Sequence, residues 1–181
     1  MSVLVSLAIL LAGVPAAADD PLAPALSGQL QCFGPDVSAR TCRALTALKR
    51  NPDRTWTSTV TSAPDPTQPL TLEVSSAVTV RDGAVCGTVR REDMIAGRLR
   101  YYGLVVPASR ALPILARLAD MLGTAAGREI CTRFEPGEGT LMARGSVTGS
   151  PGTPVPDQPM IWVRPDAGYR VGPPVPAGNG G

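Results

Sequence analysis

The chain has 181 residues, of which 44% are hydrophobic and 18% charged, and its formal net charge is +2. This length predicts a single domain, and the hydrophobic fraction is sufficient for a packed core, which argues against a wholly disordered chain. The nearly balanced charge argues against electrostatic binding of nucleic acid, and the absence of histidine excludes histidine-dependent triads and zinc sites with imidazole ligands.

The first eighteen residues carry no charge and end in Ala16-Ala17-Ala18, directly before Asp19-Asp20. A short apolar run followed by a small-x-small triplet is typical of a secretory signal peptide. No basic residue precedes the run, so a retained membrane anchor is the alternative, although the run is short for a bilayer span and is interrupted by glycine and proline. We therefore predict a signal peptide at 1–18 and an exported protein, periplasmic or secreted, that keeps no membrane span after cleavage.

Short runs rich in apolar and β-branched residues alternate with turn residues along most of the chain, which is the pattern of antiparallel strands. Asp82-Gly83, between two such runs, predicts a tight hairpin turn. The run 41–48 also fits a short helix, because some of its apolar residues fall at helical spacing. Strands are predicted at 29–33, 41–48, 55–62, 70–80, 84–89, 98–106, 129–134, 140–147 and 160–164.

One segment has clear helical periodicity, with apolar residues at i, i+3, i+4 and i+7. We expect this helix to begin at Pro113, because a proline further inside would remove a backbone hydrogen bond. The fold class predicted from these elements is α+β, with mostly antiparallel strands and hairpins, one principal helix and stabilising disulfides. The predicted boundaries are a flexible leader at 19–27, a globular domain at 28–164 and a disordered Pro/Gly-rich tail at 165–181.

The four cysteines are expected to form two disulfides in an exported chain. Cys32 and Cys42 flank a turn and are predicted to pair locally, which leaves Cys86 to pair with Cys131. The chain contains no Cys-x-x-Cys, the spacing common to zinc sites and thioredoxin-like redox sites. Because Cys86–Cys131 closes the longer loop, Cys86→Ser is expected to destabilise more than Cys42→Ser.

The sequence carries no catalytic, metal-binding or cofactor-binding motif of the usual kinds, such as a nucleophile elbow, a Walker loop or Gly-x-Gly-x-x-Gly. Two groups of acids, Glu92-Asp93 and Glu135 with Glu138, leave a carboxylate-dependent hydrolase of unfamiliar type as an alternative. Both groups lie at turns or element ends, where carboxylates are usually solvated, whereas a catalytic acid needs partial burial to shift its pKa. The prediction is therefore a protein that is not an enzyme.

A cluster of basic and aromatic residues is the candidate binding surface. The segment 90–117 holds six arginines against two acids, a net charge of +4. Arginine forks beside aromatic rings suit an anionic or sugar ligand, such as a cell-envelope component or the acidic face of a protein partner, while a solvated face is the alternative. The surface comprises Arg90, Arg91, Arg98, Arg100, Tyr101 and Tyr102.

The function predicted from these observations is a small exported, non-catalytic domain that acts by binding or as an envelope accessory. The alternatives are the carboxylate-dependent hydrolase and a membrane-tethered protein that retains residues 1–18. Trp56 and Trp162 are predicted to anchor the core rather than to stack on sugars.

Overall fold

The computed structural model describes residues 20–65, 67–149 and 155–172. The predicted signal peptide at 1–18 and the end of the predicted tail, 173–181, lie outside the described residues. The helices in these ranges are α1 (Ala23–Leu26), α2 (Arg91–Ile95) and α3 (Ala108–Asp120). The strands are β1 (Leu30–Phe33), β2 (Thr41–Cys42), β3 (Ala44–Arg50), β4 (Trp56–Ser62), β5 (Leu70–Arg81), β6 (Ala84–Thr88), β7 (Arg98–Tyr101), β8 (Leu104–Val105), β9 (Glu129–Pro136), β10 (Leu141–Val147), β11 (Gln158–Val163) and β12 (Arg170–Val171).

Eight of the described strands form a closed antiparallel barrel in which each strand pairs with the next along the chain. The order around the barrel is β1-β3-β4-β5-β6-β9-β10-β11, and β11 pairs back with β1. In this last pairing Gln31 lies opposite Trp162, and Cys32 lies opposite Ile161. Successive side chains of a strand point to opposite faces, so each strand contributes alternate residues to the barrel interior.

The predicted α+β fold class is wrong, because the described part of the chain is mostly β and its three α-helices are short. The prediction assumed that a helix must cover one face of an open sheet. A closed barrel buries its inner face without a helical layer. The principal helix, α3, exists, but two of its three buried residues, Ala111 and Leu115, pack on Leu72 of β5 and Leu99 of β7.

One end of the barrel is closed by α1 and the residue before it. Leu22 is fully buried and packs with Ala25 and Trp56, and the Asp20 carboxylate accepts a hydrogen bond from the Leu22 N–H at 2.9 Å. Trp162 packs against this cluster, so both tryptophans contribute to the core. The segment predicted as a flexible leader therefore folds against the barrel from Asp20 onward.

The other end carries an excursion between β6 and β9, formed by α2, the β7–β8 hairpin and α3. Here β7 pairs with the first residues of β5. Helix α3 begins at Ala108, five residues before the predicted start, and Pro113 lies inside it on the exposed side. Packing of Ala111 and Leu115 against the β5–β7 cluster holds the first turn in helical form despite the proline.

The C-terminal described residues cover the outside of the barrel. A 3-10 turn at Pro165–Ala167 leads to β12, which pairs in parallel with β2. Tyr169 packs against the buried Cys32, Cys42 and Val163. The disordered tail was predicted to begin at residue 165, but the chain up to residue 172 forms part of the fold because it covers this outer apolar cluster.

Candidate binding surface and barrel cavity

The structure contains both predicted disulfides, Cys32–Cys42 and Cys86–Cys131. Cys86 and Cys131 lie directly opposite each other on the outward faces of β6 and β9. Cys32 and Cys42 are buried beneath β12. Two disulfides in a chain of this size indicate an oxidising, extracellular-type environment. None of the helices in the described ranges has the length and apolar character needed to cross a bilayer.

A polar clamp lies next to the Cys86–Cys131 disulfide. Arg81 Nη2 lies 2.6 Å from Glu129 Oε2, and the Thr148 hydroxyl donates to the same oxygen at 3.0 Å. The hydrogen bond from Arg81, together with that from Thr148, lowers the pKa of the Glu129 carboxyl below its ordinary value of 4.5. The clamp thus joins the end of β5 to β9 and to the residue that follows β10.

Replacing Glu129 with glutamine is expected to reduce the acid sensitivity of the fold. A carboxyl whose pKa is lowered on folding stabilises the protein above its unfolded pKa of about 4.5, and that contribution is lost as the pH falls through the folded value. The difference in thermal midpoint between the wild type and Glu129→Gln should therefore shrink between about pH 7 and about pH 3. Glu138→Gln is the matched control, because Glu138 is exposed and makes no ion pair within the described residues. A difference that stays constant over this range would show that the ionised form of the Glu129 carboxyl makes no specific contribution to stability.

The remaining shifted carboxyls are at exposed turns. Hydroxyl groups of Ser38, Thr55 and Thr67, with backbone N–H groups, lower the pKa values of Asp36, Asp53 and Asp65, respectively. A general acid at neutral pH needs a raised pKa instead.

The acids singled out in the sequence are dispersed in the structure. Glu135 forms an ion pair with Arg144 at 2.6 Å, Glu92 is exposed, and Asp93 lies at the rim of the barrel. Within the described residues no group of three or more potential metal ligands comes together.

The predicted binding surface is divided between two elements. Arg90 precedes α2 and lines the mouth of the barrel, and Arg91 forms an ion pair with Asp120 of α3. The other four residues lie together on the β7–β8 hairpin. The structure therefore separates Arg90 and Arg91 from the hairpin residues.

The hairpin presents apolar side chains to solvent at its tip. Tyr101 and Tyr102 are 48% and 73% exposed, and Leu104 and Val105 are 76% and 55% exposed. The two tyrosine rings meet edge to face with their centroids 4.8 Å apart. We call these four residues, with Arg98 and Arg100, the hairpin patch.

Arginine side chains adjoin this tip. Arg100 Nη1 donates to the Gly103 carbonyl at 3.2 Å, which ties the turn together, and Arg98 Nη1 lies 3.9 Å from Glu73 Oε1. The hairpin itself contains no acidic residue. Tyr101 is paired with Leu104 on one face of the hairpin, and Arg100 with Val105 on the other. Exposed apolar side chains at a hairpin tip are typical of a contact site for a partner or a membrane.

The barrel encloses a cavity of about 320 Å³, which is at the lower end of the range for small-molecule sites. Its mouth is formed by the start and end of the excursion, at Val89, Arg90, Asp93, Met94 and Leu122. One wall carries polar side chains from four neighbouring strands, namely Gln31, Thr46, Ser58 and Ser76. The opposite wall, from β6 and β9, includes the apolar Val85, Ile130 and Phe134 together with Thr88 and Thr132.

Gln31 is the most constrained polar residue of the cavity. Its side chain is on the inner face of β1 and the residue is 4% exposed. Its Nε2 atom is buried and donates to no acceptor among the described residues. A buried donor without a partner destabilises the folded protein by about 1–3 kcal/mol. Retention of such a group in a fold is more readily explained by a functional role than by stability.

Sequence reasoning did not identify the cavity residues. Polar residues within a strand are typical of its solvent-facing side, so Thr46 and Ser58 gave no indication of an internal cavity. The inward position of Ser58 could have been inferred from Trp56, because the two residues share a strand face and Trp56 was predicted to lie in the core.

Comparison of the chain with protein-family models, with curated proteins and with solved structures finds no match.

Proposed function

We propose that this chain is an exported, non-catalytic domain of the periplasm or of the secreted fraction, which docks on anionic lipid surfaces of the cell envelope through the hairpin patch. The observation that carries the proposal is the exposure of Tyr101, Tyr102, Leu104 and Val105 on a single hairpin. Export is supported by the signal-like segment 1–18 and by the two disulfides. The non-catalytic role is supported by the positions of acids singled out in the sequence, since Glu135 is held in an ion pair with Arg144 and Glu92 is exposed.

A lipid surface fits the chemistry of the hairpin patch better than a preformed protein pocket does. Tyrosine rings have an apolar body and a polar tip, which suits the boundary between headgroups and acyl chains. Leu104 and Val105 supply apolar surface that can enter this boundary. Arg98 and Arg100 are complementary in charge to anionic headgroups, and guanidinium binds phosphate through two parallel hydrogen bonds.

Sedimentation with lipid vesicles tests the proposal. The full chain is expected to bind vesicles of phosphatidylcholine mixed with phosphatidylglycerol more tightly than vesicles of phosphatidylcholine alone. Arg98→Gln with Arg100→Gln should weaken binding to the anionic vesicles about tenfold, since a basic residue near such a surface contributes about 1 kcal/mol and Glu73 already neutralises part of Arg98. Tyr102→Ser with Leu104→Ser should weaken binding to both kinds of vesicle.

The matched controls are Leu26→Ser and Arg164→Gln. Leu26 is 58% exposed on α1 at the opposite end of the barrel, and the Arg164 side chain is 76% exposed. Loss of vesicle binding in these controls equal to that in the hairpin variants would overturn the proposal. So would a chain that binds polyglutamate but neither kind of vesicle, because the patch would then serve an acidic protein partner.

A further inference from the structure

The barrel cavity has the features of a built binding site, independent of the hairpin patch. Gln31 is 4% exposed, faces the cavity, and its Nε2 has no acceptor among the described residues. Its cross-strand neighbours are Thr46 on β3 and Trp162 on β11. Neither neighbour accepts a hydrogen bond from the amide, so Nε2 is a buried donor without an acceptor in a residue that lines the cavity.

Four polar residues of the cavity lie on neighbouring strands of one wall. Ser58 and Ser76 lie directly opposite each other on β4 and β5. Thr46 is opposite Gln31 and is diagonal to Ser58 across the β3–β4 pair. These residues form a strip of hydroxyl and amide groups across four strands. The facing strands β6 and β9 contribute the apolar Val85, Ile130 and Phe134 together with Thr88 and Thr132.

Charge is confined to the mouth of the cavity. Among its lining residues only Arg90 and Asp93 are ionisable, and both belong to the excursion rather than to the barrel strands. Transfer of a charged group into such an interior is unfavourable unless it finds a charged partner. The occupant of the interior must therefore be uncharged.

From this arrangement we infer that the barrel cavity binds a small uncharged ligand that has an apolar body and a carbonyl-type hydrogen-bond acceptor, and that Gln31 Nε2 donates to that acceptor. The apolar body packs on Val85, Ile130 and Phe134, and the acceptor faces the polar strip. The ligand enters between Arg90 and Met94, at the mouth formed by the excursion. Gln31 is thus a specificity-determining residue, which selects ligands that carry an acceptor.

Fluorescence titration with two related dyes tests this inference. Prodan is a neutral naphthalene with one ketone, and the parent dimethylaminonaphthalene lacks that ketone. Prodan is expected to bind the full chain with blue-shifted emission. Gln31→Met, which preserves length and removes the donor, should weaken Prodan about fivefold and leave the affinity for the parent dye unchanged. Gln68→Met, at an exposed loop position, is the matched control and should change neither affinity.

Two further measurements separate a binding role from a structural one. Without dye, Gln31→Met should raise the thermal midpoint, because it removes a buried donor that has no partner. Ser76→Leu should weaken binding of both dyes, because it places a larger side chain in the cavity.

The inference is overturned if Gln31→Met weakens both dyes equally or lowers the midpoint, since the amide would then act through packing. It is also overturned if Ser76→Leu leaves dye binding intact, or if Tyr102→Ser with Leu104→Ser abolishes it, because the dye would then occupy another surface. Failure of vesicle binding would leave these results unaffected, so the two proposals fail independently.

Discussion

Replacing Cys86 and Cys131 together with alanine is expected to lower the free energy of unfolding by about 4 kcal/mol. The disulfide joins residues 45 apart in sequence, and its main effect is to restrict the unfolded chain. The pairing of β6 with β9 extends from Val85 to Thr88, so the native barrel keeps its register without the bridge. Urea unfolding with comparison of midpoints and slopes measures the change. A loss below about 1 kcal/mol would contradict the loop-closure argument.

The Cys32–Cys42 disulfide provides the comparison. Its sequence separation of 10 corresponds to about 3 kcal/mol in the same loop-closure treatment. Both cysteines are buried, at 0% and 1% exposure, so replacing them with alanine also removes packing beneath β12. Loop length predicts a larger effect for Cys86→Ser than for Cys42→Ser, and burial does not separate these two residues, because Cys86 is 3% exposed and Cys42 is 1% exposed. Cys131, in contrast, is only partly buried. We expect the two double-alanine variants to be closer in stability than their loops imply.

Leu22→Ala is expected to lower the free energy of unfolding by about 3 kcal/mol, within the range for a fully buried leucine. Leu22 is 0% exposed and packs with Ala25 and Trp56 at the closed end of the barrel. Truncation would leave a cavity that the barrel strands cannot collapse to fill, because their backbone pairing fixes their separation. Thermal and urea unfolding of the full chain measure the effect.

Leu26→Ala is the matched control for this prediction. Leu26 is the last residue of α1, the short helix that Leu22 precedes, but it is 58% exposed, so its truncation should change stability by no more than about 0.5 kcal/mol. Equal effects of the two substitutions would show that α1 does not close the barrel.

The local elements of the fold could be predicted from the sequence because their physical causes are local. The β5–β6 hairpin was predicted from the alternation of apolar and polar residues on either side of Asp82-Gly83. Each predicted strand end lies within one residue of the observed end. Two disulfides were predicted from an even number of cysteines in an exported chain, and their pairing from the turn between Cys32 and Cys42. The two arginines and two tyrosines of β7–β8 were identified because they are contiguous in the sequence.

Closure of the sheet could not be predicted in this way, because it depends on pairing between the two ends of the domain. Neither the sequence of β1 nor that of β11 indicates that these two strands pair, or in which register. One face of an open sheet must be covered by another element, so the open sheet assumed from the sequence required a helix, and this led to the α+β prediction. The same cause explains Leu22, whose apolar partners come from strands distant in the sequence.

The cavity shows most clearly what the sequence determined and what the tertiary structure decided. The sequence by itself determined that Gln31, Thr46 and Ser58 are on alternating strand positions, because side-chain alternation is a property of the extended backbone. Only the closed barrel decided that these positions face inward, where an amide without an acceptor becomes costly. Whether an alternating face is outside or inside depends on what the other strands enclose. That is a property of the whole fold and not of any segment.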